Sequence, residues 1–325
     1  MSDAGDTITQ EAGNWLKYEF FAARNKHKQG QSILVSIRID NLKKYFGSNR
    51  AVDGISIEVG EGEVFGFLGP NGAGKTTTIR CMMNFIHPLA GSISILGKDA
   101  QKDYVEIKKH TGYLSSNAHL YGNWDGQAHI DFVKRFNGRR DKSGQLVRQF
   151  GLDTKTKTRY LSTGNKQKLA IILAFMTEPE VVILDEPTQG LDPLLQNEVY
   201  ELLHETAASG STVFMSSHNL AEVERVCSRV GIIKQGKMVA SQSITSLKEK
   251  KLNIINAQFE QPVDKHEFLD ENTELIKEFA AGLLLRVRGD INPALARLGK
   301  HRIAHIEISQ PSLEDIFLEY YSNQE

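Results

Sequence analysis

Three observations predict an α/β fold followed by a small α+β domain. Short apolar runs bounded by turns recur at Val181–Leu184, Thr212–Ser216 and Val230–Ile233, as expected of strands buried in a parallel sheet. Helical spacing separates them, with Leu195, Val199, Leu202 and Leu203 on one face and Leu220, Val223, Cys227 and Val230 marking another. A strand-like segment, Glu63–Leu68, runs directly into a glycine-rich turn.

Taken in chain order, residues 1–32 form a poorly patterned N-terminal extension. Its Trp15, Leu16, Tyr18, Phe20 and Phe21 lie beside Lys17, Arg24, Lys26 and Lys28, but they do not line up on one helical face. A loosely ordered tail is favoured over a helix resting on lipid or a partner. Val35–Asp40 and Ile55–Val59 alternate like strands, and Ser92–Leu96 and Gly112–Leu114 read as further short ones. A helix-rich stretch from about 125 to 177 holds His129–Phe136, Gly144–Phe150 and Lys166–Met176. Asp192-Pro193 is a helix start, an N-cap followed by proline at the first helical position.

Residues 241–252 read as a polar connector. Beyond it, Ile254–Phe259, Leu284–Arg288 and Ile303–Ser309 are predicted strands, with a helix near Asn292–Leu298. Leu313, Ile316, Phe317, Tyr320 and Tyr321 repeat at helical spacing and predict a closing helix. The expected domains are the extension 1–32, a larger α/β domain 33–242 and an accessory domain 243–325.

Composition narrows the function classes. With 40% hydrophobic and 24% charged residues, the 325-residue chain is an ordinary globular protein rather than a disordered one. A formal net charge of -1 gives no basic field for nucleic acid, which is not expected as a partner. The two cysteines, Cys81 and Cys227, lack metal-ligand spacing and read as reduced thiols. No stretch approaches the roughly 18 unbroken apolar residues of a membrane span, so a cytoplasmic protein is expected. Work at a membrane would need spans from another subunit.

The glycine-rich turn is Gly69-Pro70-Asn71-Gly72-Ala73-Gly74-Lys75-Thr76, with Thr77 following. It fits the phosphate-binding pattern in which glycines free backbone N–H groups to turn inward around phosphate oxygens. Lys75 would reach the β- and γ-phosphates, Thr76 would offer a hydroxyl to Mg²⁺, and the following helix N-terminus would face the same anion. A glycine turn with an accidental lysine is the bland alternative, and the flanking strand and helix argue against it.

Val181-Val182-Ile183-Leu184 ends in Asp185-Glu186, at the end of a strand where ligands sit in an open α/β sheet. Asp185 is placed to hold Mg²⁺ through water, and Glu186 to orient and polarise an attacking water. An apolar run ending in Asp-Glu is common by itself, and it gains meaning from the phosphate loop.

Between these two segments lies Leu161-Ser162-Thr163-Gly164-Asn165-Lys166-Gln167-Lys168, ahead of an apolar helix. This resembles the signature motif of ATP-binding cassette (ABC) proteins. The resemblance spans about residues 35–240. It implies a P-loop ABC-type cassette with an antiparallel β subdomain and a helical subdomain. It also implies ATP and Mg²⁺ as ligands, with the signature serving the ATP of the opposite subunit in a head-to-tail homodimer. Gly190-Leu191-Asp192 is similar to the D-loop, and Ser217-His218 to the switch histidine. Phe46 matches the aromatic residue that stacks on adenine, with Tyr45 a second candidate, and either could instead be core.

Pro311–Phe317 resembles the ending of ATPase subunits of drug-, antibiotic- and polysaccharide-type exporters, whose permease is usually a separate chain. Two departures stand out: Ser116, with Asn117 beside it, occupies the expected glutamine position of the Q-loop, and Thr163 and Asn165 replace the usual signature residues. The resulting expectation is the ATPase subunit of an exporter, peripheral on the cytoplasmic face of the membrane. The alternatives are a non-transport ABC ATPase acting on ribosomes or DNA, and an importer ATPase with a regulatory tail.

Overall fold

The computed structural model describes residues 34–137, 141–248 and 252–309. The N-terminal extension and the expected closing helix lie outside them.

β1 (Val35–Phe46) and β2 (Asn49–Gly60) form a long hairpin, which β4 (Ala90–Ile95) and β5 (Lys98–Asp99) extend into an antiparallel sheet of order β2-β1-β4-β5. Alternation decides which face is inside: Ile37 and Ile39 are buried, while Arg38 and Asp40, which alternate with them, are exposed.

The second sheet carries the site. Its order is β10 (Lys237–Ser243), β9 (Arg229–Lys234), β3 (Val64–Leu68), β8 (Thr212–Ser217), β7 (Val181–Asp185) and β6 (Thr111–Leu114). All pairings are parallel except that of the edge strand β10 with β9. Both faces are covered, which is why the central strands read as continuous apolar runs. Val64, Leu68, Val182, Leu184, Val213 and Met215 enter one core with α3 (Gly126–Asn137), α4 (Ser143–Gln149), α5 (Thr163–Phe175), α6 (Pro193–Ala208) and α7 (Leu220–Val226). Phe65, Phe67, Val181, Ile183 and Phe214 enter the other, with α1 (Lys75–Met82), α2 (Tyr104–Lys109) and the antiparallel sheet.

Two expectations are corrected here. The helix expected through Val230 stops at Val226; Cys227 is extended (φ -91°, ψ 145°), and Val230 pairs with Gly66 in β9. Val223, Cys227 and Val230 all feed the same core, so their spacing does not reveal where helix gives way to strand. The connector expected over 241–252 is instead the end of β10 followed by α8 (Ile244–Lys248), with Ile244 buried in the main core. β10 is a half-exposed edge strand, and its polar texture conceals it.

A third sheet, β12 (Thr273–Phe279), β13 (Gly282–Arg288), β11 (Leu252–Phe259) and β14 (Ile303–Ser309), is wholly antiparallel. Ile255, Ala257, Phe259, Leu283, Leu285 and Val287 form its own core, covered by Phe268 and by Ala294 and Leu298 of α9 (Asn292–Leu298). β12 was not expected. Only its Thr273 is buried, and a strand so exposed needs little apolar alternation.

Candidate active site

Parallel pairing brings the functional segments to one end of the sheet. Leu68 lies opposite Ser217, Asp185 opposite Ser216, and Leu114 opposite Leu184, so β3, β8, β7 and β6 end side by side. The loops that leave these ends carry Gly69–Thr76, His218, Glu186 and Ser116 respectively. This is the edge at which open α/β sheets bind ligands.

The phosphate loop is held by its neighbours. Gly69 N–H donates to Ser217 O at 3.2 Å, and Ala73 N–H to Pro70 O at 3.1 Å. At Gly74, φ is +114° and a Cβ would lie 2.4 Å from Ala51 O, so both conformation and space exclude a side chain. Gly74→Ala is expected to cost more than about 1 kcal/mol of stability and to weaken nucleotide binding. Thermal unfolding and ATP titration check this, and an unshifted melt with unchanged affinity would contradict it.

Lys75, 6% exposed, donates to Gly69 O at 2.6 Å and Pro70 O at 3.2 Å, and its ammonium lies 3.2 Å from Glu186 Oε1. His218 Nδ1 is 2.7 Å from the other oxygen of the same carboxylate, Oε2. Glu186 thus stands between the loop lysine and the histidine, although 111 and 32 residues separate it from them in sequence. Its φ of +53°, unusual for a residue with a Cβ, marks the point where the chain turns off β7. Strain of this kind persists where surroundings over-determine it, and here the Glu186 N–H is held by Ser216 O at 3.2 Å and Ser216 Oγ at 3.1 Å.

Asp185 is 1% exposed and both its oxygens accept: Oδ2 from Thr76 Oγ1 at 2.9 Å, Oδ1 from Ser216 Oγ at 2.6 Å. A hydroxyl and a carboxylate in contact form a hard oxygen pair suited to Mg²⁺, which takes one or two protein ligands and completes its shell with phosphate and water. Thr76 and Asp185 are therefore the residues that would hold the metal. When bound, it would neutralise charge on the β- and γ-phosphate oxygens.

The remaining sequence candidates fall in several places. Ser162 caps α5, its Oγ accepting from Asn165 N–H at 3.3 Å. Leu161 is buried, Thr163 exposed, and a Cβ at Gly164 would meet nothing within 4 Å. Asp192 caps α6 through Leu195 N–H at 3.0 Å. Ser115 Oγ donates to Asn117 O at 3.0 Å, closing the turn that carries Ser116. Tyr45 commits its hydroxyl to Asp53 at 2.6 Å, whereas Phe46 is half exposed, with the Lys44 ammonium 5.2 Å from its ring centroid.

Sequence reasoning missed Ser216, which holds both Asp185 and Glu186. The signal was present: two serines close an apolar strand just before His218. Nor did it foresee the contact of Gln167, whose Nε2 donates to Pro187 O at 2.9 Å, or those of Thr188, Ser217 and Glu222.

The ABC transporter family profile matches residues 52–189. The bacitracin transport ATP-binding protein BcrA of Bacillus licheniformis is 33% identical over 87% of this chain and 96% of its own length. The Nod factor export ATP-binding protein I of Paraburkholderia xenovorans is 32% identical over 87% of this chain and 96% of its own. A solved ATP-binding subunit of an ABC transporter superposes with a TM-score of 0.62 at 27% identity, covering 67% of this chain and 92% of that one. With the phosphate loop, Asp185-Glu186 and His218 gathered at one sheet edge, the chain belongs to the ATP-binding proteins of the ABC transporter family and is an ABC ATPase.

Proposed function

We propose that this chain is the ATP-hydrolysing subunit of an exporter, driving a separate membrane permease through ATP-dependent closure of a homodimer on the cytoplasmic face. The observation that carries the reading is similarity, over 87% of this chain, to proteins named for bacitracin transport and Nod factor export. Among the described residues no helix is long and apolar enough to cross a membrane, so the proposal gives the spans to another chain.

In this reading Phe46 stacks on adenine, and Gly69, Pro70, Asn71, Gly72, Ala73, Gly74, Lys75, Thr76 and Thr77 enclose the phosphates. Glu186 orients the attacking water and His218 senses the γ-phosphate. The segment Leu161–Asn165 serves ATP on the opposite subunit. The open space beside Gly164 supports that role, because backbone unshielded by a side chain can approach a phosphate closely. The third sheet, which has its own core, is assigned to association rather than chemistry.

Two exposed aromatic groups that include Tyr113 and Tyr121, the aromatic residues flanking Ser116 in sequence, support a permease site there. On one side Phe85 meets Tyr113 at 5.3 Å, and the Lys108 ammonium lies 4.8 Å from the Phe85 ring and 5.3 Å from that of Tyr104. On the other, Tyr121, Trp124, Phe132 and Phe136 make a continuous row with centroids 4.7, 5.4 and 5.0 Å apart. Phe85, Tyr104, Tyr121, Phe132 and Phe136 are all exposed. Partly exposed aromatic rings at this density are characteristic of protein interfaces.

Ser116 is shorter than glutamine and would reach Mg²⁺ only through water, at up to about 2 kcal/mol of immobilisation entropy. Slow hydrolysis by the isolated subunit is therefore expected, with stimulation when a permease sets the loop. The test is ATPase rate with and without the co-encoded membrane chain, in wild type and Ser116→Gln. Equal rates in all four samples, or fast hydrolysis by the lone wild-type subunit, would reject the coupling.

A further inference from the structure

Glu222 belongs to none of the segments assigned a role above, yet its carboxylate is buried between two of them. It stands in the first turn of α7 and is 3% exposed. Its two oxygens take different donors: Oε1 accepts from Thr188 Oγ1 at 2.6 Å, and Oε2 from Ser217 Oγ at 2.5 Å. Thr188 lies in the turn that leaves Glu186 and leads to Asp192, and Ser217 immediately precedes His218.

Each turn is also closed by its own bonds. Gln189 N–H donates to Glu186 O at 3.2 Å and Leu191 N–H to Thr188 O at 3.1 Å, while Asn219 N–H donates to Ser217 Oγ at 2.9 Å. These local bonds shape each loop but do not join one to the other. The carboxylate of Glu222 does. Burial raises the pKa of this group above the ordinary glutamate value, and the Ser217 and Thr188 hydroxyls act against that shift. A buried carboxyl is costly unless hydrogen-bonded, and here both oxygens are.

We propose that Glu222 is a positioning residue for ATP hydrolysis, fixing the Glu186 loop and the His218 loop at the separation their side chains need. The 2.7 Å contact between His218 Nδ1 and Glu186 Oε2 spans the same two loops. It survives only if neither loop drifts. Glu222 touches neither substrate nor metal and acts entirely through Thr188 and Ser217. Its effect should therefore fall on turnover, which depends on geometry at the water, more than on ATP affinity, which the phosphate loop supplies.

The proposal rests on the reading of Glu186 and His218 as the hydrolytic pair, and the experiment separates the two. Steady-state ATPase is measured on the full chain as wild type, Glu222→Ala, Glu222→Gln, Thr188→Val, Ser217→Ala, and the Glu222→Ala/Thr188→Val pair. Glu222→Ala is expected to lower kcat by on the order of 10- to 100-fold, with KM for ATP changed less than about 2-fold, as for a small misplacement of reacting groups. Glu222→Gln should recover part of the loss, because its amide oxygen still accepts one hydroxyl.

Adding Thr188→Val to Glu222→Ala should cost little more, since the contact is already gone. Wild-type kcat in Glu222→Ala, a rise in KM without loss of kcat, or fully additive losses would each overturn the proposal. If Glu222→Ala does not fold, Thr188→Val and Ser217→Ala decide, each removing a single hydroxyl. Lowered kcat at unchanged KM supports the proposal, and wild-type kinetics in both overturns it. Glu186→Gln serves as the control. If it turns over normally, the reading beneath fails, whereas an inactive Glu186→Gln beside a normal Glu222→Ala rejects positioning alone.

Discussion

Glu186→Gln is expected to leave ATP binding intact and to lower hydrolysis by on the order of 10²-fold or more, the size of a general base's contribution. The amide keeps the shape of the side chain and one acceptor oxygen, so the contact with His218 Nδ1 at 2.7 Å can persist. What it loses is the negative charge and basic lone pair that the proposed role uses to polarise water. It also loses the ion pair with Lys75 at 3.2 Å. Removing an anion beside the γ-phosphate position relieves like-charge repulsion, so affinity for ATP should hold or rise. Equilibrium binding and single-turnover hydrolysis on the same preparation read the two effects separately. Turnover at the wild-type rate would remove Glu186 from its proposed role.

Lys75→Ala should fail earlier, at binding. The ammonium is held by two loop carbonyls at 2.6 and 3.2 Å and is almost fully buried, so its position is set by the loop. Charge-assisted hydrogen bonds to phosphate contribute about 1.5–3 kcal/mol, so ATP affinity should fall roughly 10- to 100-fold. Titration with a non-hydrolysable ATP analogue measures this without interference from turnover. A folded Lys75→Ala variant with wild-type affinity would show that the backbone amides alone bind the phosphates.

The site was legible in the sequence to the extent that its parts follow from chain-local patterns. Gly69–Thr76, Asp185-Glu186 and Ser217-His218 each stand at the end of a short apolar run, and parallel pairing brings such ends together. What could not be read is which polar neighbours hold them. Ser216 is one serine of a pair, and its bonds to Asp185 and Glu186 exist only once β8 lies against β7. Glu222 reads as an ordinary acidic residue in a helix's first turn, and nothing local reports that it is buried under two loops.

Exposure hides elements for a related reason. β10 and β12 are edge strands with few buried side chains, so no apolar alternation betrays them. The helix expected through Val230 misled in the opposite way, because helix and strand fill one core at a spacing that mimics continuity.

The two-faced central sheet makes strand length itself a specification. In β7, Val181 and Ile183 enter the core shared with α1, while Val182 and Leu184 enter the other. Asp185 keeps the parity of the first pair, and that parity is what lets Thr76 at the start of α1 reach it at 2.9 Å. Valine, isoleucine and leucine can exchange along this strand at modest cost, because each core asks chiefly for volume. Adding or removing one residue is different in kind. It would leave hydropathy untouched, yet it would carry the carboxylate to the opposite side of the sheet, away from the phosphate loop. Composition at β7 can therefore drift over time, but its residue count cannot, and the same holds for the segment that sets Glu186 one step beyond.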